Sequence, residues 1–225
     1  MSEAGERGRA PSKASGGRRA PGAVRRRNEA CILAAAEAVF AEHGYGGASL
    51  AMIAGRAGLP RSNLLYYFKS KQGLYLALLE RTMRRWNAQI DEIGVACDPA
   101  RVLTDFIHAK MEMARDMPRA SRLFAGEILQ GAPRLGPWLR GPLRQWVMAR
   151  ASIFETWRVE GRIDARVEPV ALIFLIWSAT QHYADFEAQV LAITGRERLD
   201  EAEHRRVTDF ICHMILSGCG LEAPA

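Results

Sequence analysis

The chain has 225 residues, a length that suits one compact unit or a small domain fused to a larger one. Hydrophobic residues make up 48% of it, and its formal net charge is +6. The four cysteines form no CxxC motif and no regular spacing, which argues against a disulfide framework or a zinc site and favours a reducing compartment. We expect a soluble, cytoplasmic protein, because no apolar segment follows the N-terminal arginines and the longest apolar run, Pro169 to Ala179, is too short to span a bilayer.

The positive charge is concentrated at the N-terminus. Residues 1–27 hold eight arginine or lysine residues against two glutamates, which accounts for the whole net charge. This segment is rich in Gly, Ser, Pro and Ala and shows no apolar periodicity, so we expect a basic arm that is disordered on its own. Such an arm attracts nucleic-acid phosphates without regard to sequence, or it serves as a solubilising tail.

Apolar residues recur with a helical period along the rest of the chain, and no strand pattern of period two is present. The first amphipathic helix ends at Gly44, Ser49 caps a short helix that stops at Gly58, and Ser70 caps a long one. We therefore predict an all-α protein of about nine helices, with a helix-turn-helix domain over 28–72 and a helical bundle over 73–225. The remaining predicted helices cover residues 60–67, 99–115, 118–130, 137–160, 168–191 and 200–217.

The segment from Ser49 to Phe68 has the pattern of a helix-turn-helix. Ile53 and Ala54 lie on one apolar face, Gly58 permits a tight turn, and Leu64 packs the second helix back on the first. An ordinary helical hairpin with solvated polar tips is the alternative. The second helix exposes residue types that reach base edges and phosphates, as a recognition helix does, namely Arg61, Ser62, Asn63, Tyr66 and Tyr67.

Residues 28–79 resemble the DNA-binding domain of the TetR family of bacterial repressors. The matching blocks are Ala-Glu-His-Gly-Tyr at 41–45, the Ser49 start, the Ile53-Ala54 and Ala57-Gly58 core, Tyr66-Tyr67-Phe68, and Ser70-Lys71 with Leu74-Tyr75. The resemblance implies phosphate contacts from Ser49, Tyr66, Tyr67 and Lys71. It implies base contacts from Arg61, Ser62 and Asn63, in a homodimer on palindromic operator DNA. The pair Pro60-Arg61 departs from the Ser-Lys that the family often has after the turn.

The predicted helix at 168–191 carries candidate ligand contacts. Its segment 173–186 is first apolar nearly all round, so we expect it to be buried between its own bundle and a partner subunit. Trp177, Gln181 and Asp185 then recur on one face. An aromatic ring beside a carboxamide can stack on a planar polar ligand and hydrogen-bond to it. A core tryptophan with a satisfied buried glutamine is the alternative.

A closer resemblance, to a pyrimidine-responsive repressor of the same family, covers nearly everything after residue 28. The blocks that carry it lie at 113–124, 127–133 and above all 177–186. It implies that uracil or a related pyrimidine, rather than a cofactor, acts as an effector that releases the DNA.

Uracil presents two carbonyl acceptors and two N–H donors on a flat ring. We therefore expect polar contacts from Gln181 and Arg122 and stacking on Trp177. An ion pair of Arg122 with Glu127 or Asp116 is the alternative. Further lining residues are Trp86, Phe124 and Phe186.

No phosphate loop, nucleophile motif or Cys–His pair indicates an enzyme, and His182 with Asp185 lacks a third ligand for a metal site. We expect a homodimer that pairs through its last two helices. The alternatives are the same fold with a different planar effector and regulon, and a helical enzyme or scaffold in which the helix-turn-helix is incidental.

Overall fold

A computed structural model describes residues 21–222 and 224, and every regular element within them is helical. The N-terminal elements are α1 (Pro21–Gly47), α2 (Leu50–Ala57), α3 (Arg61–Tyr67) and α4 (Lys71–Asn87). The C-terminal elements are α5 (Pro99–Asp116), α6 (Pro118–Leu129), α7 (Gly136–Trp138), α8 (Arg144–Val159), α9 (Pro169–Asp185), α10 (Glu187–Thr194) and α11 (Glu201–Gly218). Over the described residues, each helix is too short or too polar to cross a membrane.

Two hydrophobic cores organise these helices, and α4 belongs to both. Its first turns contribute Leu74 and Leu79 to a core with α1, α2 and α3. Its later turns contribute Met83 and Trp86 to the core of the C-terminal bundle. The division between the cores therefore lies inside α4, further along the chain than the boundary expected at residue 72.

Helix α1 begins before its predicted start and has a kink at its predicted end, Gly44. Residues 21–27 are helical although we assigned them to a disordered arm, because Pro21 is acceptable at a first helical position and Ala23 and the following arginines favour a helix. The rest of that predicted arm, residues 1–20, lies outside the described residues. At the other end, Gly44 leaves the helical region with φ 65° and the chain resumes a last turn to Gly47.

Two long predicted helices are interrupted. The helix expected over 137–160 consists of α7, a π-helical segment at Leu139–Leu143 and α8. Pro142 lies inside that segment and has no N–H for the regular helical hydrogen bond, so the backbone takes a wider turn. The helix expected over 168–191 ends at Asp185, because Phe186 (φ −115°, ψ 28°) separates α9 from α10.

Candidate nucleic-acid interface and effector site

The helix-turn-helix forms where the sequence predicted it. The Ser49 hydroxyl accepts a hydrogen bond from the Met52 N–H at 3.2 Å, which caps α2. Gly58 ends α2 in the left-handed conformation, with φ 63° and ψ 29°, and so permits the tight turn to α3. Ile53 and Leu64 are fully buried between the two helices.

Helix α3 presents its N-terminal turn to solvent. Arg61, Ser62 and Asn63 are exposed, and the Tyr66 side chain is 73% exposed. Tyr67 is half-buried, and its hydroxyl oxygen accepts a hydrogen bond from Asn28 of α1 at 3.2 Å. The first three are donors at the start of a short helix, the position from which a recognition helix reaches base edges.

Lys71 has structural contacts in addition to its expected phosphate role. Its ammonium donates to the backbone oxygens of Tyr45 (2.8 Å) and Ala48 (2.9 Å) and lies 4.5 Å from the centre of the Tyr45 ring. These bonds use two of the three N–H donors and hold the turn between α1 and α2 against the start of α4. One donor remains for a phosphate.

Three of the four aromatic side chains predicted to line an effector site belong to the C-terminal core or pack against it, but in two separate pairs. The rings of Trp86 and Phe124 meet edge to face, with centroids 5.4 Å apart. Trp177 stacks on Trp146 with centroids 6.2 Å apart, and its Nε1 is buried without a hydrogen-bond partner among the described residues. Gln181 lies one turn further along α9 and is half-buried.

The other two predicted effector residues lie at the surface. Arg122 is exposed and forms an ion pair with Glu187 at 3.0 Å, so the ion pair considered from sequence is present but its partner is neither Glu127 nor Asp116. Phe186 is half-exposed and stacks on His182 with centroids 5.1 Å apart. The structure does not bring these two side chains together with Trp177.

A buried lysine, which the sequence analysis did not single out, lies beside the predicted aromatic residues. Lys110 of α5 is only 3% exposed, and its ammonium lies over the Trp86 ring, 4.5 Å from the centroid. Burial lowers the pKa of Lys110 to about 7, although the charge of Asp185 opposes the shift. Asp185 in turn accepts a hydrogen bond from the Ser121 hydroxyl at 2.5 Å. Partial burial raises the pKa of Asp185.

Replacing Lys110 with methionine is expected to raise the melting temperature at pH 6 by roughly 2 to 8 °C, because an unpaired buried charge costs more than an apolar side chain of similar size. The advantage should shrink as the pH rises from 7 to 9. In that range the folded protein releases the Lys110 proton while the unfolded chain still holds it, so the wild type gains stability with pH. Thermal denaturation of both proteins across this range measures the difference, and exposed Lys69→Met provides the control. A variant that melts below the wild type at pH 6 would contradict the expectation.

Two neighbouring helices present apolar side chains to solvent. On α9 these are Phe174 and Leu175, and on α11 they are Phe210 and Met214, each between 52% and 58% exposed. Phe210 and Met214 are four positions apart and share one side of α11, whereas Phe174 and Leu175 are adjacent exposed positions of α9. We call these four residues the α9–α11 face. Exposed apolar side chains grouped on neighbouring helices are typical of a protein interface.

A loop of the C-terminal bundle enters the N-terminal core. Leu135 is fully buried among the residues of that core. The buried Glu127 carboxylate accepts hydrogen bonds from the backbone N–H groups of Arg134 (2.7 Å) and Leu135 (3.1 Å) and fixes the loop. The Arg134 guanidinium lies over the Tyr45 ring, 3.6 Å from its centroid. Residues 130–135, which we call the connecting loop, therefore join the two cores.

The described residues contain no group of three His, Cys, Asp or Glu side chains that is placed to hold a metal ion. The four cysteines are free thiols. Burial raises the pKa of both Cys212 and Cys219 to about 11, so they remain protonated at neutral pH.

Comparison with known proteins assigns both parts of the chain. The family model described as "Bacterial regulatory proteins, tetR family" matches residues 32–78, and that described as "YcdC-like protein, C-terminal region" matches residues 79–222. The HTH-type transcriptional regulator RutR of Escherichia coli (strain K12) is 38% identical over 187 residues, which cover 83% of this chain and 88% of that protein.

Solved structures share the fold at lower identity. A transcriptional regulator of Streptomyces coelicolor, SCO4942, superposes with a TM-score of 0.65 at 23% identity and covers 83% of this chain and 97% of its own. FadR of Bacillus subtilis, solved in complex with stearoyl-CoA, gives a TM-score of 0.65 at 16% identity, covering 84% and 98%.

The two family matches join inside α4, about one helical turn from the position where the two cores divide. Regulators of this kind bind operator DNA, act as dimers and are not enzymes. The chain is a member of the TetR family of bacterial transcriptional regulators.

Proposed function

We propose that the protein is a cytoplasmic repressor of pyrimidine catabolism genes, which uracil or a closely related pyrimidine releases from a palindromic operator. The relationship to RutR over most of the chain supports this assignment. The observation that carries it is the arrangement of α9, where Trp177 packs against the core of the C-terminal bundle, half-buried Gln181 follows one turn later, and Phe174 and Leu175 are exposed to solvent. One helix thus offers a ligand contact and a subunit contact.

Binding of DNA is proposed to begin at the exposed turn of α3. Arg61, Ser62 and Asn63 face base edges in the major groove. Phosphates on either side are held by Ser49, whose capping bond uses the hydroxyl as an acceptor and leaves its proton for a phosphate oxygen. Tyr66, Tyr67 and the remaining donor of Lys71 complete the phosphate contacts.

Asn63→Ala and removal of residues 1–20 are expected to weaken DNA binding in different ways. Asn63→Ala should cost about 1–3 kcal/mol on the operator and little on random DNA, because it removes a base contact. Removal of residues 1–20 should weaken binding to both DNAs and flatten the dependence on salt, because that segment supplies net positive charge and no base contact. Fluorescence anisotropy at several salt concentrations separates the two. Equal losses on operator and random DNA for both variants would contradict this division of roles.

The effector is proposed to bind in the C-terminal bundle at the inner side of α9. Trp177 supplies a ring for stacking, and its unpartnered Nε1 can donate to a carbonyl oxygen. Gln181 can both donate and accept on the same face. Trp86 and Phe124, which meet edge to face, are proposed as a second aromatic wall. Arg122 of α6 and Phe186 after α9 lie at the surface, so they are proposed only as outer contacts of the site.

The dimer is proposed to pair through the α9–α11 face. A two-fold interface brings the same surface of each subunit together, and the α9–α11 face is apolar at its centre. In this arrangement the two recognition helices lie about one turn of DNA apart.

Effector binding is proposed to act on this spacing through the connecting loop. A shift of α6 or α9 moves Leu135 and Arg134, which contact the N-terminal domain, and alters the distance between the two copies of α3. The coupling is reciprocal, so operator DNA weakens effector binding by the same factor.

The deciding experiment measures the affinity of the dimer for a palindromic operator, selected from genomic fragments, with and without saturating uracil. We expect uracil to weaken binding by about 5- to 150-fold, the range of ordinary allosteric coupling. An unchanged affinity would overturn the effector assignment. A thermal-shift panel of pyrimidines, purines and aromatic acids then tests the alternative of a different planar effector, since a ligand of the folded state raises the melting temperature.

A further inference from the structure

The buried ammonium of Lys110 has an aromatic ring beneath it and no carboxylate in direct contact within the described part of the chain. Its close partner is the face of Trp86, at 4.5 Å from the centroid. A ring face compensates part of the cost of burying an ammonium but accepts no conventional hydrogen bond. The side chain therefore has donors to offer inside the bundle, beside the aromatic wall proposed for the effector.

Asp185 provides the complementary group. It lies one helical turn beyond Gln181 on α9, and α9 packs directly against both α5 and α6. The Ser121 hydroxyl donates to its Oδ1 at 2.5 Å, which fixes the carboxylate while its second oxygen can still accept. Lys110 and Asp185 form no direct ion pair, but their helices α5 and α9 pack together and the charge of Asp185 acts on Lys110, so the donor and the acceptor lie near each other without touching.

We propose that Lys110 and Asp185 read one C(=O)–N–H edge of the effector. The Lys110 ammonium donates to the carbonyl oxygen, and the Asp185 carboxylate accepts the neighbouring N–H. A cyclic amide or imide presents these two groups side by side in one plane, so a single ligand edge bridges the gap. This inference rests on the proposed function and assigns the cationic contact to Lys110 instead of the surface residue Arg122, which is already paired with Glu187.

The pair predicts a specificity that stacking alone does not provide. Methylation of the nitrogen that faces Asp185 removes the donor and places a methyl group against a carboxylate, which leaves a buried acceptor unpaired. Methylation of the other ring nitrogen leaves the edge intact. One of two singly methylated uracils should therefore bind much more weakly than uracil itself.

The test is isothermal titration calorimetry of the full-length dimer with uracil, 1-methyluracil and 3-methyluracil. For the wild type we expect one methylated compound to lose about 10- to 100-fold in affinity, as for a lost hydrogen bond to a charged group. Lys110→Met should lose affinity for uracil by a similar factor while its melting temperature is not lowered. Asp185→Ala should bind all three compounds with similar affinity, because the acceptor is gone and space for the methyl group is created. Asp116→Ala, an exposed aspartate paired with Arg115, is the matched control and should behave as wild type.

Two results would overturn the inference while the proposed function stands. One is a Lys110→Met protein that retains its affinity for uracil. The other is a wild-type protein that binds uracil and both methylated compounds with equal affinity. If Lys110→Met loses stability, the Asp185→Ala variant decides the question. Its affinities for uracil and for the two methylated compounds are compared with one another, and such a ratio does not depend on the fraction of protein that is folded. A wild-type protein that binds none of the three compounds would overturn both proposals, since no ligand edge then remains for the pair to read.

Discussion

Replacing Phe210 with arginine is expected to convert the dimer into a monomer and to weaken operator binding by about 100-fold or more. Phe210 is 58% exposed on the α9–α11 face and lies one helical turn before Met214 on α11. In a two-fold interface the substitution occurs on both subunits, so two arginines enter an apolar contact where neither has a partner. A monomer holds a single half-site and loses the gain that comes from linking two recognition helices.

Light scattering after size-exclusion chromatography measures the oligomeric state, and anisotropy with a palindromic operator measures the affinity. Leu129→Arg is the matched control, because Leu129 is 80% exposed at the end of α6 and lies outside the α9–α11 face. It should remain dimeric. Circular dichroism should show a native helical content for both variants, since neither side chain is buried. A dimeric Phe210→Arg protein would show that the subunits pair through another surface.

Local signals allowed α2, α3 and the start of α4 to be predicted almost to the residue. The caps Ser49 and Ser70 and the turn residue Gly58 act within a few positions of themselves, so their effects can be deduced from the sequence without knowledge of the fold. The interruptions at Pro142 and Phe186 were missed. In both cases helical periodicity continues across the break, and the change of backbone path is set by how the segments pack in the bundle.

The candidate effector site could be predicted only for the residues that one helix contributes. The spacing of Trp177, Gln181 and Asp185 on α9 can be read from the sequence, but the helices that face them cannot. Lys110 lies 67 positions before Trp177, and nothing in the residues around it distinguishes it from a surface lysine. Arg122 was favoured as the cationic contact for its chemistry, whereas the tertiary structure places it at the surface and buries Lys110.

The second large effect concerns Glu127, which holds the connecting loop. Its side chain is 1% exposed, and in addition to the two backbone N–H groups its Oε2 accepts from the Arg134 guanidinium at 3.3 Å. Ala132 within the loop has a φ of 52°, a left-handed conformation that costs a residue with a side chain about 1 kcal/mol. The bonds to Glu127 offset this strain and keep Leu135 inside the N-terminal core.

Glu127→Gln is therefore expected to lower the free energy of unfolding by about 3 kcal/mol and the melting temperature by roughly 10 °C. Glutamine has the same shape and can keep an oxygen for the two backbone N–H groups, but it lacks the negative charge that strengthens these bonds, and its NH2 group faces the Arg134 guanidinium donor in place of Oε2. A second consequence follows for regulation. With the loop loosened, the bundle should still bind the effector, but the ratio of operator affinities without and with effector should fall towards one.

Thermal denaturation gives the first quantity, and operator anisotropy with and without uracil gives the second. Glu42→Gln is the control. Glu42 is an exposed glutamate of α1 near the connecting loop, and its ion pair with Arg56 lies at the surface. Its melting temperature and its response to uracil should match the wild type. A Glu127→Gln protein that is destabilised yet fully released from DNA by uracil would show that the loop supports the fold without carrying the signal. In that case α4, which contributes to both cores, would carry the signal from the effector to the recognition helix.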